Sequence, residues 1–211
     1  MRDKALSGAY VDYFNETHGM VRDTMRRFVN EAVKPHIDEW EEAGAFPREI
    51  YPQAGSLGLL SIGHPTEFGG SGEQDVFLKV AASEELMRSG SGGFVASLGS
   101  LDIGLPPVWR TGSDALKARV VPQVLAGEKI IALAITEPSG GSDVANLKTR
   151  AVRDGNHYVV NGSKTFITSG ARADYYTVAV RTGEAGFGGV SLLLIEKGTP
   201  GFTVGRNLKK M

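Results

Sequence analysis

Residues 130–143 read IIALAITEPSGGSD, and the chain changes character there. Residues 130–136 form a short apolar run that is typical of a buried strand. The seven residues that follow include one proline, two glycines and two serines. Backbone N–H groups in such a loop can converge on an anionic or hydrogen-bond-accepting ligand, because glycine adds no side-chain bulk. An ordinary turn after a strand is the alternative, since glycine and serine are common in turns.

The residues before this stretch are predicted to be helical. Val21, Met25, Phe28 and Ala32 recur at the spacing of one helix face, and Pro35 closes that helix. A serine before an apolar periodic run favours a helix start, and a glycine after it favours a helix end. Further helices are predicted after Pro47, over residues 74–88, over residues 93–104 and from Ser113 to Gly127.

The residues after this stretch are predicted to be strands. Asp154-Gly155 and Asn161-Gly162 favour hairpin turns, because both pairs tolerate a positive φ. No βαβ alternation and no G-x-G-x-x-G after a strand occurs, which argues against a Rossmann fold. Segments rich in Val, Ile, Tyr, Thr and Leu predict strands at 157–160, 163–168, 174–180 and 190–196. The sequence therefore predicts an α+β protein, with an N-terminal all-α helical domain (1–128) followed by an antiparallel β-meander (129–211).

The composition excludes several classes of site. The 211 residues contain no cysteine, so disulfides, thiolate metal sites and a cysteine nucleophile are ruled out. A net charge of -1 gives no basic excess that would indicate nucleic acid or an anionic membrane as a partner. The four histidines lie in no zinc-binding motif, so no metal site is predicted, and no G-x-S-x-G elbow occurs. No apolar run approaches the ~18 residues of a membrane span.

Residues 134–143 resemble the first signature of the acyl-CoA dehydrogenase family. That signature is a small residue, an aliphatic one, Thr or Ser, Glu, two variable positions, a small residue, Gly, Ser or Thr, and Asp. The match departs at Asn146, where the family usually has a small residue. Weaker likenesses occur at residues 67–72, 161–170, 201–202 and 208–211, so the resemblance runs from about residue 14 to the end. The family's C-terminal helical bundle has no counterpart here, and an antiparallel sheet that stopped at Met211 would leave an open edge. We therefore expect a piece of a longer protein.

The resemblance implies that residues 129–211 form an antiparallel β-barrel-like middle domain, and that the protein is a FAD enzyme of fatty acid β-oxidation. Such an enzyme converts acyl-CoA thioesters to trans-2-enoyl-CoA and passes the electrons to an electron-transferring flavoprotein. The family is usually a homotetramer, and its general base is a glutamate of the C-terminal domain. Glu137 is not that base, so no catalytic residue is assigned in this chain. A bacterial cytoplasmic location is expected, with the mitochondrial matrix as the alternative.

The resemblance also implies roles for individual residues. Main-chain groups of residues 133–136 and the Thr136 hydroxyl would bind the pyrimidine edge of the flavin. Phe166 would pack on the flavin ring, and Thr168 would donate to N5, which receives the hydride. Gly141 and Ser142 would hold the FAD pyrophosphate or the pantetheine arm of the substrate. For Phe166 and Ile167 the alternative is core packing. The implied cofactor-binding set is Leu133, Ala134, Ile135, Thr136, Gly141, Ser142, Phe166, Ile167 and Thr168.

Small residues in the helix predicted at 93–104 suggest where the acyl chain would go. Gly99 and Ser100 would leave a deep pocket and favour medium to long chains. The predicted substrate contacts are Val95, Gly99, Leu101 and Ser142. Two rival functions stay open: an acyl-CoA oxidase or flavin monooxygenase on the same scaffold, and a non-catalytic fragment that binds no FAD.

Overall fold

The computed structural model describes residues 13–72, 75–205 and 207–208. The chain forms two compact units. The helical unit comprises Met1–Ala96 with Leu125–Glu128, and the sheet unit comprises Ser97–Val124 with Lys129–Met211. Of the family-like stretch at 208–211, residues 209–211 lie outside the described residues.

The helical unit begins with α1 (Glu16–Phe28), which continues through a π-helical turn at Val29–Val33. The Asn15 side chain starts α1, because it accepts a hydrogen bond from the His18 amide at 3.3 Å. Pro35 lies in a short 3-10 turn where the α-helical pattern stops, as the sequence predicts. The other helices that start in this unit are α2 (Ile37–Ala43), α3 (Ile50–Ser56), α4 (Val76–Met87) and α5 (Gly92–Leu98).

Helices α1 and α4 pack together around a buried ion pair. The Arg26 guanidinium donates to Glu85 through Nε at 2.9 Å and through Nη2 at 2.7 Å, while Glu85 is only 1% exposed. The hydrogen bond from Arg26 lowers the pKa of Glu85 below its usual 4.5. A fork-shaped guanidinium suits this bidentate contact, so the buried carboxylate remains charged and paired.

The sheet unit contains three short helical segments, α6 (Leu101–Gly104), α7 (Pro106–Thr111) and α8 (Asp114–Leu125). The Ser113 hydroxyl accepts from the Leu116 amide at 3.3 Å, which confirms the predicted start of α8. The helix predicted at 93–104 is interrupted, since α5 ends at Leu98 and α6 begins at Leu101. Ser100 is buried, and its hydroxyl donates to the Ile131 carbonyl at 3.0 Å.

The sheet has five strands, and the central one is β4 (Tyr175–Arg181). Tyr175 to Val180 are all buried, so both faces of β4 are covered. Strand β5 pairs with β4 antiparallel along its whole length, whereas β1 pairs with it parallel, Ile131 opposite Tyr175. The remaining strands are β1 (Ile131–Ala134), β2 (Arg150–Asp154), β3 (His157–Asn161) and β5 (Val190–Glu196).

The sheet is mixed, which corrects the antiparallel prediction, although the α+β class is confirmed. Strands β2 and β3 form the predicted hairpin at Gly155, whose φ is +58°. Strand β2 then meets β4 in a parallel pair at Arg150 and Arg181. A parallel pair needs a long crossover connection, and residues 135–174 provide it between β1 and β4. The described strands do not close into a barrel.

The strand predicted at 163–168 is wrong, and Asn161-Gly162 does not form a hairpin. The chain leaves β3 at Asn161 and runs irregularly to residue 174. Gly162 has φ +154° and packs so closely that an added Cβ would lie 2.4 Å from Thr149 Oγ1. The glycine is therefore used for a close approach between two segments rather than for a two-residue turn.

No helix in the described part of the chain is long and apolar enough to cross a membrane.

Candidate functional site

The loop after β1 closes on itself. Glu137 and Gly140 exchange backbone hydrogen bonds of 3.0 Å in both directions, so Pro138 and Ser139 form a tight exposed tip. The chain then returns beside the end of β1. A Cβ placed on Gly141 would lie 3.1 Å from Cγ2 of Thr136 and 3.2 Å from its hydroxyl oxygen, so these two predicted residues are adjacent.

Glu137 is buried under this loop, at 4% exposure. Its carboxylate accepts from the Lys148 amide at 2.5 Å, from the Thr149 amide at 2.8 Å and from Lys164 Nζ at 2.9 Å. Burial raises the pKa of Glu137. Hydrogen bonds from Thr149, Lys164 and the Lys148 amide more than offset that effect and lower the pKa from 4.5 to about 2. Glu137 is therefore a carboxylate that stays ionised and hydrogen-bonded.

Lys164 joins two parts of the chain. Its ammonium is 2.8 Å from the Ile135 carbonyl and 2.9 Å from Glu137 Oε1, and its side chain is only 10% exposed. One residue later, the Thr165 amide donates to the Thr136 carbonyl at 2.9 Å. The two stretches that the sequence analysis assigns to a flavin, 133–142 and 166–168, are thus joined by direct hydrogen bonds between residues 135–137 and 164–165.

Phe166 follows at once, and it is the most unusual side chain of the segment. It is 71% exposed, and its φ of +58° lies in the left-handed region that non-glycine residues rarely adopt. Phe166 is therefore not packed in the core of the part of the chain that the structure describes. An exposed aromatic face on a strained backbone is more typical of a binding site than of a core.

Residues 167–170, which follow Phe166, are also held by hydrogen bonds. Ser169, with φ +61°, donates from its hydroxyl to the Ser97 carbonyl at 3.2 Å. The Gly170 amide donates to the Ile167 carbonyl, and the buried Tyr176 hydroxyl donates to the Gly170 carbonyl at 2.8 Å. Burial raises the pKa of Tyr176, so its hydroxyl stays protonated as a donor.

The predicted residues differ in exposure. Ala134 is buried, Leu133, Ile135, Thr136, Gly141 and Ile167 are half-buried, and Ser142, Phe166 and Thr168 are exposed. Of the predicted substrate contacts, Val95 belongs to the helical unit, and Gly99, Leu101 and Ser142 belong to the sheet unit. Gly99 lies in the break between α5 and α6, whereas Leu101 is 6% exposed and packs in the core.

The network around Glu137 was not predicted from the sequence. Lys164, Lys148 and Thr149 carry no motif that marks them as its partners. The one available signal was a lysine two positions before the aromatic residue, together with an acid at the end of a buried strand. That pairing is 27 residues apart in sequence and becomes visible only in three dimensions.

The sheet unit also has a cleft that was not predicted. It has a volume of about 420 Å³ and is lined by residues 145–148, 150 and 181–185. Arg181 fixes its wall, because its guanidinium donates to the carbonyls of Ala145, Leu147, Glu184 and Gly186. Asn146 donates to Asp143 at 2.6 Å, so the residue that departs from the family signature stabilises this turn. Among the residues that the structure describes, no three acidic or histidine side chains are grouped as metal ligands would be.

Two family models match the chain almost end to end. "Acyl-CoA dehydrogenase, N-terminal domain" matches residues 15–128, and "Acyl-CoA dehydrogenase, middle domain" matches residues 132–211. The chain belongs to the acyl-CoA dehydrogenase family. Thr136 and Phe166 therefore both lie in the region that matches the family's middle domain.

Individual relatives agree with this assignment. The mitochondrial long-chain specific acyl-CoA dehydrogenase of Sus scrofa is 39% identical over 94% of this chain and 46% of its own length. A crystal structure of a probable acyl-CoA dehydrogenase from Mycobacterium abscessus is 48% identical, has a TM-score of 0.90, and is matched over 94% of this chain and 53% of its own.

A glutaryl-CoA dehydrogenase from Mycobacterium smegmatis in complex with FADH2 is 30% identical, with a TM-score of 0.85 over 95% of this chain and 50% of its own. The chain thus spans about half the length of the relatives it matches.

Proposed function

We propose that this chain is the flavin-binding part of an enzyme that dehydrogenates acyl-CoA thioesters to trans-2-enoyl-CoA with FAD. The observation that carries the proposal is the hydrogen bond of 2.9 Å between the Thr165 amide and the Thr136 carbonyl. It brings the end of β1 and the Phe166 segment to one place. The FADH2 complex of the mycobacterial relative supports the choice of cofactor.

The residues present fit a flavin. Phe166 offers an exposed flat face, and the fused rings of a flavin are a flat aromatic partner for it. Thr168 is exposed and offers a hydroxyl, while Thr136 and the main chain of residues 133–136 offer polar groups on a rigid strand end. Gly141 and Ser142 would receive the pyrophosphate or the pantetheine arm, because they follow a loop without bulky side chains.

The residues of this chain bind and orient, and they do not transfer the proton. FAD, when bound, would accept the β hydrogen of the substrate as a hydride. Thr168 would donate a hydrogen bond where negative charge then develops. Removal of the α proton needs a base of suitable pKa. Glu137 is unsuitable, because three donors hold its carboxylate and lower its pKa to about 2. We place the base in a glutamate outside residues 1–211.

The wider features of the protein are also proposals. Electrons would pass to an electron-transferring flavoprotein, and the enzyme would be a homotetramer. The boundary between the two domains would lie at residues 128–129, which the bounds of the family models support. A bacterial cytoplasm is the proposed location, and the mitochondrial matrix is the alternative that the pig relative supports.

Binding of FAD is the direct test. The purified protein is titrated into FAD, and the flavin fluorescence and the visible absorption bands are followed. We expect saturable binding with a shifted flavin spectrum, and Thr168→Val should change that spectrum. A protein that neither quenches nor shifts FAD would support the rival reading of a non-catalytic fragment.

Chain length is a second question. We propose medium to long acyl chains, because the small residue Gly99 stands in the break between α5 and α6 and a long-chain specific relative is similar. Turnover of acyl-CoAs of different lengths by the whole enzyme decides the matter. A sharp preference for butyryl-CoA would contradict the proposal.

A further inference from the structure

Three segments of the sheet unit converge on one carboxylate. Glu137 stands at the end of β1, accepts from the amides of Lys148 and Thr149 before β2, and accepts from Lys164 after β3. Lys164 in turn donates to the Ile135 carbonyl. We call Glu137 and Lys164 the clamp, because this pair joins the β1 exit to the segment that leads to Phe166.

The clamp is buried, so removing one of its two charged side chains should be energetically unfavourable. The side chains of Glu137 and Lys164 are 4% and 10% exposed. A buried ion pair contributes little net stability compared with apolar packing, but removing one partner leaves the other charge unpaired out of water. A buried pair of this kind is better suited to fixing one arrangement of the chain than to adding stability.

The segment that the clamp holds needs such a restraint. Phe166 and Ser169 both have positive φ, and a non-glycine residue keeps that conformation only where its surroundings enforce it. The restraints on this side are Lys164 and the Thr165 amide, immediately before Phe166. Phe166 itself is 71% exposed, so its own packing supplies little.

We propose that Glu137 and Lys164 are positioning residues, which hold Phe166 and Thr168 in the conformation that receives the flavin. The inference rests on the proposed function for its ligand. The local restraint it describes can be measured without FAD. Neither residue touches the reacting atoms in this proposal, and both act through the backbone of residues 135–136 and 164–168.

Two single variants test the clamp, each with the same control. Lys164→Met removes the ammonium, and Glu137→Gln removes the charge while keeping one acceptor. The control is Glu196→Gln, which breaks the exposed ion pair of Glu196 with Arg119 at 2.6 Å in the same unit. Three readouts are compared: the Kd for FAD, the visible circular dichroism per bound flavin, and hydrogen exchange of the Thr165 amide without FAD.

We expect both variants to bind FAD at least about tenfold more weakly, because each breaks a buried charge-assisted hydrogen bond. The circular dichroism per bound flavin should change, and the Thr165 amide should exchange faster, while the exchange of the Val178 amide in β4 stays the same. A general loss of stability would speed exchange at both amides and would leave the dichroism of each bound flavin unaltered. Glu196→Gln should match the wild type.

A double variant keeps the test decisive if one single variant folds poorly. Glu137→Gln with Lys164→Met removes both charges together, so no unpaired charge remains buried. If Glu137 and Lys164 act through their contact with each other, their effects should not add. The double variant should then lose no more affinity for FAD than the weaker-binding single variant. The positioning role alone would be overturned if the wild-type protein binds FAD, the Kd of each variant is within about twofold of the wild-type value, and the dichroism is unchanged. Wild-type protein that binds no FAD would overturn the proposed function as well.

Discussion

At the scale of single residues, a substitution of Phe166 should affect FAD binding but not the stability of the fold. Phe166 is 71% exposed, so Phe166→Ala should change the free energy of unfolding by less than about 0.5 kcal/mol. The same change should weaken FAD binding about two- to tenfold, because an aromatic contact contributes about 0.5–1.5 kcal/mol. Phe187 is the matched control, since it is 73% exposed in the same unit but lies outside the site. Equal effects of Phe166→Ala and Phe187→Ala on the Kd would contradict the assignment.

Glu137 should make the free energy of unfolding depend on pH, and its lowered pKa determines the direction of that dependence. Its pKa of about 2 in the folded state is below the ordinary 4.5, so its contribution to stability is complete above about pH 4.5. That contribution, about 3 kcal/mol, is lost as the pH falls toward 2. The difference in unfolding free energy between wild type and Glu137→Gln should therefore shrink between about pH 5 and about pH 2. Denaturant titrations across this range measure it, and a constant difference would show that the carboxylate is not stabilised as described.

At the scale of elements, the turn after β3 depends on a close approach. Gly162→Ala should destabilise the protein by about 2–4 kcal/mol, because the new Cβ would lie 2.4 Å from Thr149 Oγ1 and 2.6 Å from Thr149 Cα, at a φ of +154°. Gly155→Ala in the β2–β3 turn is the control. Its Cβ would meet nothing within 4 Å, so it should cost only the strain of a positive φ, about 1 kcal/mol. Thermal unfolding of both variants compares them, and equal losses would argue against the contact with Thr149.

The ion pair between α1 and α4 offers another prediction for elements. Arg26→Met leaves Glu85 buried at 1% exposure without its bidentate partner. We expect a loss of about 3 kcal/mol in unfolding free energy, measured by urea titration. Arg119→Met removes an exposed ion pair with Glu196 and should cost less than about 1 kcal/mol. Arg88 Nε also lies 3.1 Å from Glu85, so a small effect at Arg26 would mean that Arg88 alone is enough to hold this carboxylate.

At the scale of the whole molecule, the family assignment implies a choice of electron acceptor. A dehydrogenase passes its electrons to an electron-transferring flavoprotein, whereas an oxidase on the same scaffold passes them to oxygen. We expect the whole enzyme, once reduced by its substrate, to be reoxidised only slowly in air-saturated buffer and rapidly by such a flavoprotein. Stopped-flow absorbance follows both reactions. Rapid reoxidation by air alone would favour the oxidase.

The sequence by itself determined the family, the helical first part and the local features that depend on neighbouring residues. Ser113 caps α8 and Gly155 turns the β2–β3 hairpin, because each needs only residues close in sequence. The signature at 134–143 carried the assignment for the same reason, since its residues lie in one strand and one loop.

Only the tertiary structure decided how distant segments meet. The parallel pairing of β1 with β4 depends on a crossover of residues 135–174, which no local pattern encodes. Asn161-Gly162 has the composition of a hairpin turn, but contact with Thr149 directs the chain elsewhere. The burial and the low pKa of Glu137 likewise depend on donors 11, 12 and 27 residues away. Periodicity and turn composition report short-range preferences, whereas pairing and burial depend on what the rest of the chain brings alongside.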